Sequence, residues 1–572
     1  MGRWICTAFI IRNWHRVLAL ASPIALALIF LISDSKEARC LYGILIIIIF
    51  WMFELLPLPV TSLLPVFIFP SLGILTTTES TAPYMQDVVM MLLGSMILAM
   101  AVDHCNLHYR IALRILLHTG TSTMRVLLGF MLSTVLLSMW LNNTATALIV
   151  VPIADAVSLE IGRRGHMTSR TYESGPADES CCRRERLLSV NPLSTPLFEL
   201  QPTSTVNQHH PQSTSVDYTM SPELRELQNA ILLGVTYATS IGGTGSIFGT
   251  SPNYVFLGLV EQQYPEQTDV SLATWMIYNV PPMLVCTLFA WLYVYYYLVP
   301  RRYHGCDTDG VDLRFAILKQ YDELGHMTFH EGAVLAIFAL TATAQFFRDP
   351  VFFPGWSSHF ALANKIRDAT PSMLGVCLLF LIPARPRKNF PGPALLNWPS
   401  VQRKMPWGIV LFVGGSFSVA AASEASGLPL TVASKLAALK GLPSVALVAI
   451  MTTLTSAITE VCSNTATASV MLSVSSYMAR AIRIHPLYLM IPVTVAASFS
   501  FVLPAGTPPN TLVYHHGRMN IYYMVRSGLI MNAGCIFIEM IFITTFGFWI
   551  FDLKTFPSWA DSRNYTSVLH YT

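Results

Sequence analysis

The sequence predicts an all-α polytopic membrane protein, and three observations predict it. Charge is scarce, apolar runs are long and bare, and a pair of short motifs occurs twice in the same order. Charged residues make up 12% of the 572 and hydrophobic residues 53%, with a mean hydropathy of +0.51. A soluble domain carries roughly 25% charged residues, so most of this chain cannot face water.

The apolar runs are Val17–Ile32, Leu41–Phe53, Val88–Val102, Pro281–Val299, Gly332–Gln345, Met373–Pro383, Ile409–Ala422 and Asn532–Phe551, charge-free but for Glu539 in the last. A helix needs about 20 mainly apolar residues to cross the hydrocarbon core. Several runs reach that length and several fall short. Short or Gly/Pro-broken spans are the mark of discontinuous membrane helices. The apolar stretch at the N-terminus is too long for a cleavable signal and has no small-residue cleavage site, so it reads as the first span.

A net charge of +3 points to no particular partner, and nothing suggests nucleic acid. The ten cysteines lack paired spacing, which argues against a disulfide framework or a zinc site. Cys181 and Cys182 read as reduced bystanders, with no reactive motif beside them.

One polar segment, from about Gly162 to Gln228, interrupts the apolar chain. It is rich in Ser, Thr, Gln, His and Pro and carries Arg163, Arg164, Arg170, Arg183, Arg184 and Arg186. Such a composition buries too little apolar surface to fold alone, and the segment reads as a mostly disordered loop. Basic residues cluster at Arg12–Arg16, Arg301–Arg302, Arg385–Lys388 and Arg403–Lys404. Positive charge marks the cytoplasmic side, so these clusters, the polar loop and the N-terminus are expected inside. The loop Arg348–Ile366 is then outside. The tail 553–572 is expected to be extracellular, in agreement with the glycosylation triplet Asn564-Tyr565-Thr566.

The duplication divides the chain. Asn143-Thr144-Ala145-Thr146-Ala147 recurs unchanged as Asn464-Thr465-Ala466-Thr467-Ala468. Gly249-Thr250-Ser251-Pro252-Asn253 is matched later by Gly506-Thr507-Pro508-Pro509-Asn510. The motifs stand further apart in the first half, by about the length of the polar loop. The first repeat is thus 1–161 and 229–330, split by the loop, and the second is 331–552. Repeats that meet around a central site are a transporter design. Close packing of small residues alone leaves the asparagines unexplained, since an amide in lipid is expensive without a task.

These motifs contain amides, hydroxyls and main-chain atoms, with no Lys or Arg. Hard cations prefer such oxygens. A broken helix exposes bare carbonyls at one end and bare N–H groups at the other, and the N–H end attracts anions. Three glycines in Gly242–Gly245 and three prolines in Pro504–Pro509 predict that both segments unwind, because proline removes donors. Unwound backbone at membrane depth is tolerated only inside protein or along a cavity.

These residues resemble the divalent anion/sodium symporter family, the sodium-coupled di- and tricarboxylate and sulfate cotransporters. Its mark is a pair of Ser-Asn-Thr signatures at the tips of re-entrant hairpins. Here the second is Ser463-Asn464-Thr465 and the first is Asn142-Asn143-Thr144. Supporting stretches are Glu54–Thr61, Arg348-Asp349-Pro350, Lys404–Gly408 and Ser423–Gly427. The resemblance implies an inverted-repeat homodimer in membrane lipid, with about eleven transmembrane helices and two hairpins, working as an elevator at the plasma membrane. It implies sodium as the coupling ion, with no organic cofactor. One sodium site would use Ser138, Asn142, Asn143 and Gly243; the other, Thr459, Cys462 through its carbonyl, Asn464 and Gly506. A small anionic substrate, a succinate- or citrate-class carboxylate, would meet Asn143, Thr144, Thr244, Ser463, Asn464, Thr465 and Thr507. Asn142 departs from the family, which has serine there. Sulfate transport and sodium-independent exchange are alternatives within the fold. A channel is a further alternative. An intramembrane enzyme finds little support, because His515-His516 and Cys462 lack any accompanying catalytic motif.

Overall fold

The computed structural model describes residues 14–29, 33–120, 122–173, 222–264, 270–304, 311–360, 366–386, 392–428, 431 and 441–560. Among them the regular structure is helical, with one isolated bridge between Pro383 and Ala394. The chain begins with α1 (Trp14–Leu26), α2 (Lys36–Met52), α3 (Leu64–Ser71), α4 (Asp87–His104) and α5 (Leu107–Thr119). A hairpin follows, α6 (Thr123–Ser138) and α7 (Asn143–Glu173). Next come α8 (Pro222–Gly243), α9 (Ser251–Gln263) and α10 (Leu272–Tyr293). After α11 (Val311–Glu323), α12 (Phe329–Phe346), α13 (Ala369–Leu381) and α14 (Trp407–Ser426), the hairpin recurs as α15 (Ser444–Thr459) and α16 (Asn464–Ile482). The pair α17 (Pro486–Ala496) and α18 (Pro508–His516) matches α8 and α9, and α19 (Ile521–Thr544) follows.

Among the described residues, five segments are long and apolar enough to cross a membrane: Thr77–His104, Leu272–Leu298, Phe329–Phe346, Trp407–Ser426 and Ile521–Ile550. Three hairpin-arm segments, Thr123–Ser138, Asn143–Ser158 and Ser444–Thr459, and α17 are apolar but shorter, as expected where two short helices share one depth.

In each half the hairpin packs on one central helix, α6 and α7 on α8, and α15 and α16 on α17. Every residue of α17 is buried, and so is α8 from Leu227 to Gly243. A helix without a polar stripe belongs inside. Its hydroxyls still need acceptors. Thr236, Thr239 and Thr494 donate to Leu232 O, Val235 O and Met490 O, one turn back.

At two boundaries read from the sequence the structure adds helix or packing. The polar segment is helical at both ends: α7 continues through 162–173, and α8 begins at Pro222. Arg and Glu are good helix formers, so polarity there does not end the helix. Residues 174–221, with Cys181 and Cys182, lie outside the described residues. The first residues of the tail pack on the fold. Leu553 and Ala560 are buried, and the Trp559 ring packs edge-on against Tyr264 and His485, at 5.1 and 5.4 Å. Asn564 lies outside the described residues.

Candidate functional site

Each hairpin ends in a four-residue tip. Met139–Asn142 joins Ser138 to Asn143, and Glu460–Ser463 joins Thr459 to Asn464. The two tips make the same contacts. Ser138 Oγ lies 2.8 Å from Asn143 Oδ1 and 2.7 Å from Thr239 O, at the end of α8. Thr459 Oγ1 lies 2.8 Å from Asn464 Oδ1 and 2.8 Å from Ala497 O, just past α17. A hydroxyl carries one proton. Each triad therefore gathers three oxygens around a single donated hydrogen.

The helix breaks are also matched. Asn253 Nδ2 donates to Gly243 O at 3.0 Å and to Ser246 O at 2.7 Å. Asn510 Nδ2 donates to Ser500 O and Leu503 O, both at 2.9 Å. Both asparagines are fully buried, and their Oδ1 atoms have no hydrogen-bond partner among the described residues. Thr250 and Thr507, which start α9 and α18, share one extended backbone conformation: φ −147°, ψ 149° and φ −145°, ψ 153°.

Glycine is required where the first break meets its hairpin. A Cβ on Gly243 would stand 2.7 Å from Asn143 Oδ1. One on Gly249 would stand 2.5 Å from Gly243 O and 2.7 Å from Ser138 O. Break and tip are thus in direct backbone contact.

Helix direction places four N-termini together. Tyr264 OH and Ser476 Oγ are 2.8 Å apart, and Ser476 Oγ also donates to Gln263 Oε1. Gln263 is twelve residues past Ser251, and Ser476 is twelve past Asn464, so α9 and α16 run parallel from one level. On the other side α7 packs on α18. Gln228 Nε2 donates to Asp155 Oδ1, well along α7, and the neighbouring Asn229 lies against Gly517 at the end of α18. These two helices run parallel as well. Each hairpin's return helix is paired with the broken helix of the other half. Helix N-termini carry bare N–H groups and partial positive charge, and here they converge without Lys, Arg or His in either motif.

The family described as the sodium:sulfate symporter transmembrane region matches residues 11–553. The chain belongs to this symporter family. Its relatives include the Na(+)/citrate cotransporter of Rattus norvegicus, 37% identical over 95% of this chain and 96% of that one. The Na(+)/dicarboxylate cotransporter 3 of Homo sapiens is 35% identical over 96% of this chain and 95% of its own. Solute carrier family 13 member 2 of Rattus norvegicus is 36% identical over 97% and 96%. Among solved structures, the YdaH transporter of Alcanivorax borkumensis is similar with a TM-score of 0.48 and 14% identity, covering 82% of this chain and 87% of that one. The symporter family and these relatives are transporters, the class the sequence pointed to over an enzyme.

The fold brings together Ser138, Asn143 and Gly243 in one half, and Thr459 and Asn464 in the other. Gly506 faces the second tip, since a Cβ there would stand 3.3 Å from Glu460 O. Cys462 is buried within that tip. Thr144 and Thr465 are in the first turns of α7 and α16, beside Asn142 and Ser463. Thr507 Oγ1 is buried with no partner among the described residues. Thr244 is placed differently: its hydroxyl donates to Ile241 O at 2.7 Å, and its carbonyl accepts from Trp275 Nε1 at 3.2 Å. By backbone conformation the counterpart of Thr507 is Thr250, which sequence reasoning passed over. The repeated Gly-Thr-x-Pro-Asn motif already aligned the two.

Glu460 was also passed over. It is the sole acidic side chain in either tip or break, and its carboxylate accepts from Phe501 N at 2.9 Å, Val502 N at 3.0 Å, Leu503 N at 3.0 Å and Asn532 Nδ2 at 2.7 Å. It satisfies three consecutive main-chain donors that unwinding left bare. The first half uses the opposite polarity: Ser246 Oγ donates to Met139 O.

Proposed function

We propose that this chain is a sodium-coupled symporter that imports di- or tricarboxylates of the succinate and citrate class. The observation that carries the reading is the matched pair of hydroxyl–amide–carbonyl triads beside converging helix N-termini. Three oxygens with one proton among them suit a hard cation, and bare N–H groups next to them suit a carboxylate. Sodium ions held there offset the charge of the anion, which explains why no basic side chain is needed.

In this reading Ser138, Asn142, Asn143 and Gly243 hold one sodium ion. Thr459, Asn464, Gly506 and the Cys462 carbonyl hold the other. Substrate meets Asn143, Thr144, Ser463, Asn464, Thr465 and Thr507, with Thr244 and Thr250 closing the ring from the first break. The names of two of these relatives, the citrate and the dicarboxylate cotransporters, favour carboxylate over sulfate. The inverted repeat and the two hairpins fit an elevator, in a homodimer of about eleven crossings per chain. The N-terminus and the polar segment then face the cytoplasm and the C-terminus faces outside, at the plasma membrane.

The test is uptake of labelled succinate, citrate and sulfate by cells expressing the chain, in sodium and in choline. Uptake of a carboxylate in sodium alone is expected. Equal carboxylate uptake in choline would establish sodium-independent exchange instead, and uptake confined to sulfate would overturn the substrate class.

A further inference from the structure

The helices fall into two groups by whether they carry the candidate site. α6–α9 and α15–α18 hold both tips and both breaks, and α10 and α19 pack against them. α2, α3, α4, α12, α13 and α14 carry no candidate site residue and form a frame: α4 packs on α12 and α13, and α14 packs on α2, α3 and α4. The groups meet chiefly where α9 packs on α14 and α4, and where α16 packs on α2. α9 and α16 both start at the site, and their far ends come together beside the end of α14.

Arg480, in the last turn of α16, joins these ends. Its Nε donates to Tyr264 OH at 3.1 Å and its Nη2 to Gln263 O at 3.4 Å. The guanidinium also lies 4.7 Å from the centre of the Tyr264 ring. These contacts stay within the site-bearing group. Nη1 crosses the boundary and donates to Glu424 Oε1 at 3.1 Å, in the last turn of α14. Across the same boundary Tyr477 OH donates to Ser423 Oγ at 2.6 Å. The planar fork of arginine lets one cation hold both groups at once.

The pair is built unevenly. The Arg480 side chain is 15% exposed and that of Glu424 37%. If the two part, Arg480 keeps the Tyr264 ring, the Tyr264 hydroxyl and the Gln263 carbonyl, and Glu424 is left to water. Opening a buried ion pair is costly when it strands a charge. Here neither charge is stranded, so the contact can be made and broken.

We propose that Arg480 and Glu424 form a latch between the site-bearing helices and the frame, closed in this conformation and open once the site has moved to the other side of the membrane. The latch rests on the elevator reading above and deepens it by naming a contact that holds one end state.

The experiment introduces pairs of cysteines and joins them with a short bifunctional methanethiosulfonate reagent, each link being confirmed by mass spectrometry. Uptake of whichever anion the wild type carries with sodium is measured before linking, after it, and after reduction with dithiothreitol. Single-cysteine variants treated alike account for the native thiols. Linking Glu424→Cys to Arg480→Cys holds one state and is expected to lower uptake about tenfold or more, reversibly. Linking Tyr264→Cys to Arg480→Cys, within one group, is expected to leave uptake within about twofold of its unlinked value, because no boundary is crossed. Equal loss there would place the motion inside the site-bearing group and overturn the latch. Should Arg480→Cys fail to reach the surface, Ser423→Cys with Tyr477→Cys tests the same contact with the same expectation. Ser95→Cys with Tyr254→Cys probes the boundary elsewhere, between α4 and α9, where the wild-type hydroxyls lie 2.5 Å apart. Full uptake after linking at the latch, with loss after the Ser95–Tyr254 link, would overturn the latch and keep the moving site. Full uptake after every link across the boundary would refute the elevator reading itself. Glu424→Gln leaves Arg480 its other partners and should reach the surface, with KM and maximal uptake shifted together by about threefold or more as the end states repopulate. Wild-type kinetics in that variant would show that the pair holds nothing, and would also overturn the latch.

Discussion

Asn253 and Asn510 hold the two broken helices with the same pair of bonds: each side-chain NH2 donates to the carbonyls ten and seven residues upstream. The shared offset is the three-dimensional form of the Gly-Thr-x-Pro-Asn repeat. It makes the break a built element, because unwinding leaves carbonyls that must find donors away from water.

Asn510→Ala should destabilise the protein as well as silence it. Ser500 O loses its donor, at roughly 1–3 kcal/mol for a buried group left unpaired, and Leu503 O keeps only Gly506 N. A lower melting temperature in detergent, together with lost uptake, is expected. Asn510→Asp should not rescue either property, since a carboxylate cannot donate to two carbonyls. Normal melting and uptake in the Asp variant would show that the staple is dispensable. Asn253 substitutions should behave alike.

Asn464 and Asn143 stand in the triads and beside the N–H groups, and in the proposed reading each serves ion and substrate together. Asn464→Ala should abolish sodium-dependent uptake while the protein still reaches the surface, as measured by surface biotinylation. Near-normal uptake would remove Asn464 from the site, and the same measurement applies to Asn143→Ala.

Much of this site was legible in the sequence because the repeat is literal. Asn143 and Asn464 were named by two identical pentapeptides, and the three prolines between Pro504 and Pro509 announced the break. What stayed hidden depends on partners distant in sequence. Glu460 looks like an odd charge in an apolar run until its acceptors meet Phe501, Val502 and Leu503. Thr250 was aligned with Thr507 by the repeated motif, and the shared backbone angles bear the pairing out. The end of α7 was not legible because polar composition says where a chain cannot be buried, which is different from where a helix stops.

Glu460→Gln should impair transport through the break rather than through the ions directly. Glutamine keeps one acceptor oxygen and places an NH2 against main-chain N–H groups that need acceptors. Slower maximal uptake is expected, with both tips still able to bind substrate. Wild-type turnover in this variant would show that the carboxylate is not needed to hold residues 501–503.

Removing about the central half of the segment between Glu173 and Pro222 should leave the KM for substrate unchanged. That segment lies outside both repeats, and each tip is anchored by α8 or α17. A large change in KM in a well-expressed deletion would show that the segment reaches the site.

The most direct test of coupled sites is to watch the ion rather than the anion. Purified protein in proteoliposomes would be given an inward succinate gradient, or citrate in parallel, and entry of radioactive sodium would be followed. The matched triads call for carboxylate-driven sodium entry that Asn464→Ala abolishes, with reciprocity between the two ligands as linkage requires. Carboxylate entry without any sodium movement would contradict the claim that the two half-sites bind ion and anion as one unit.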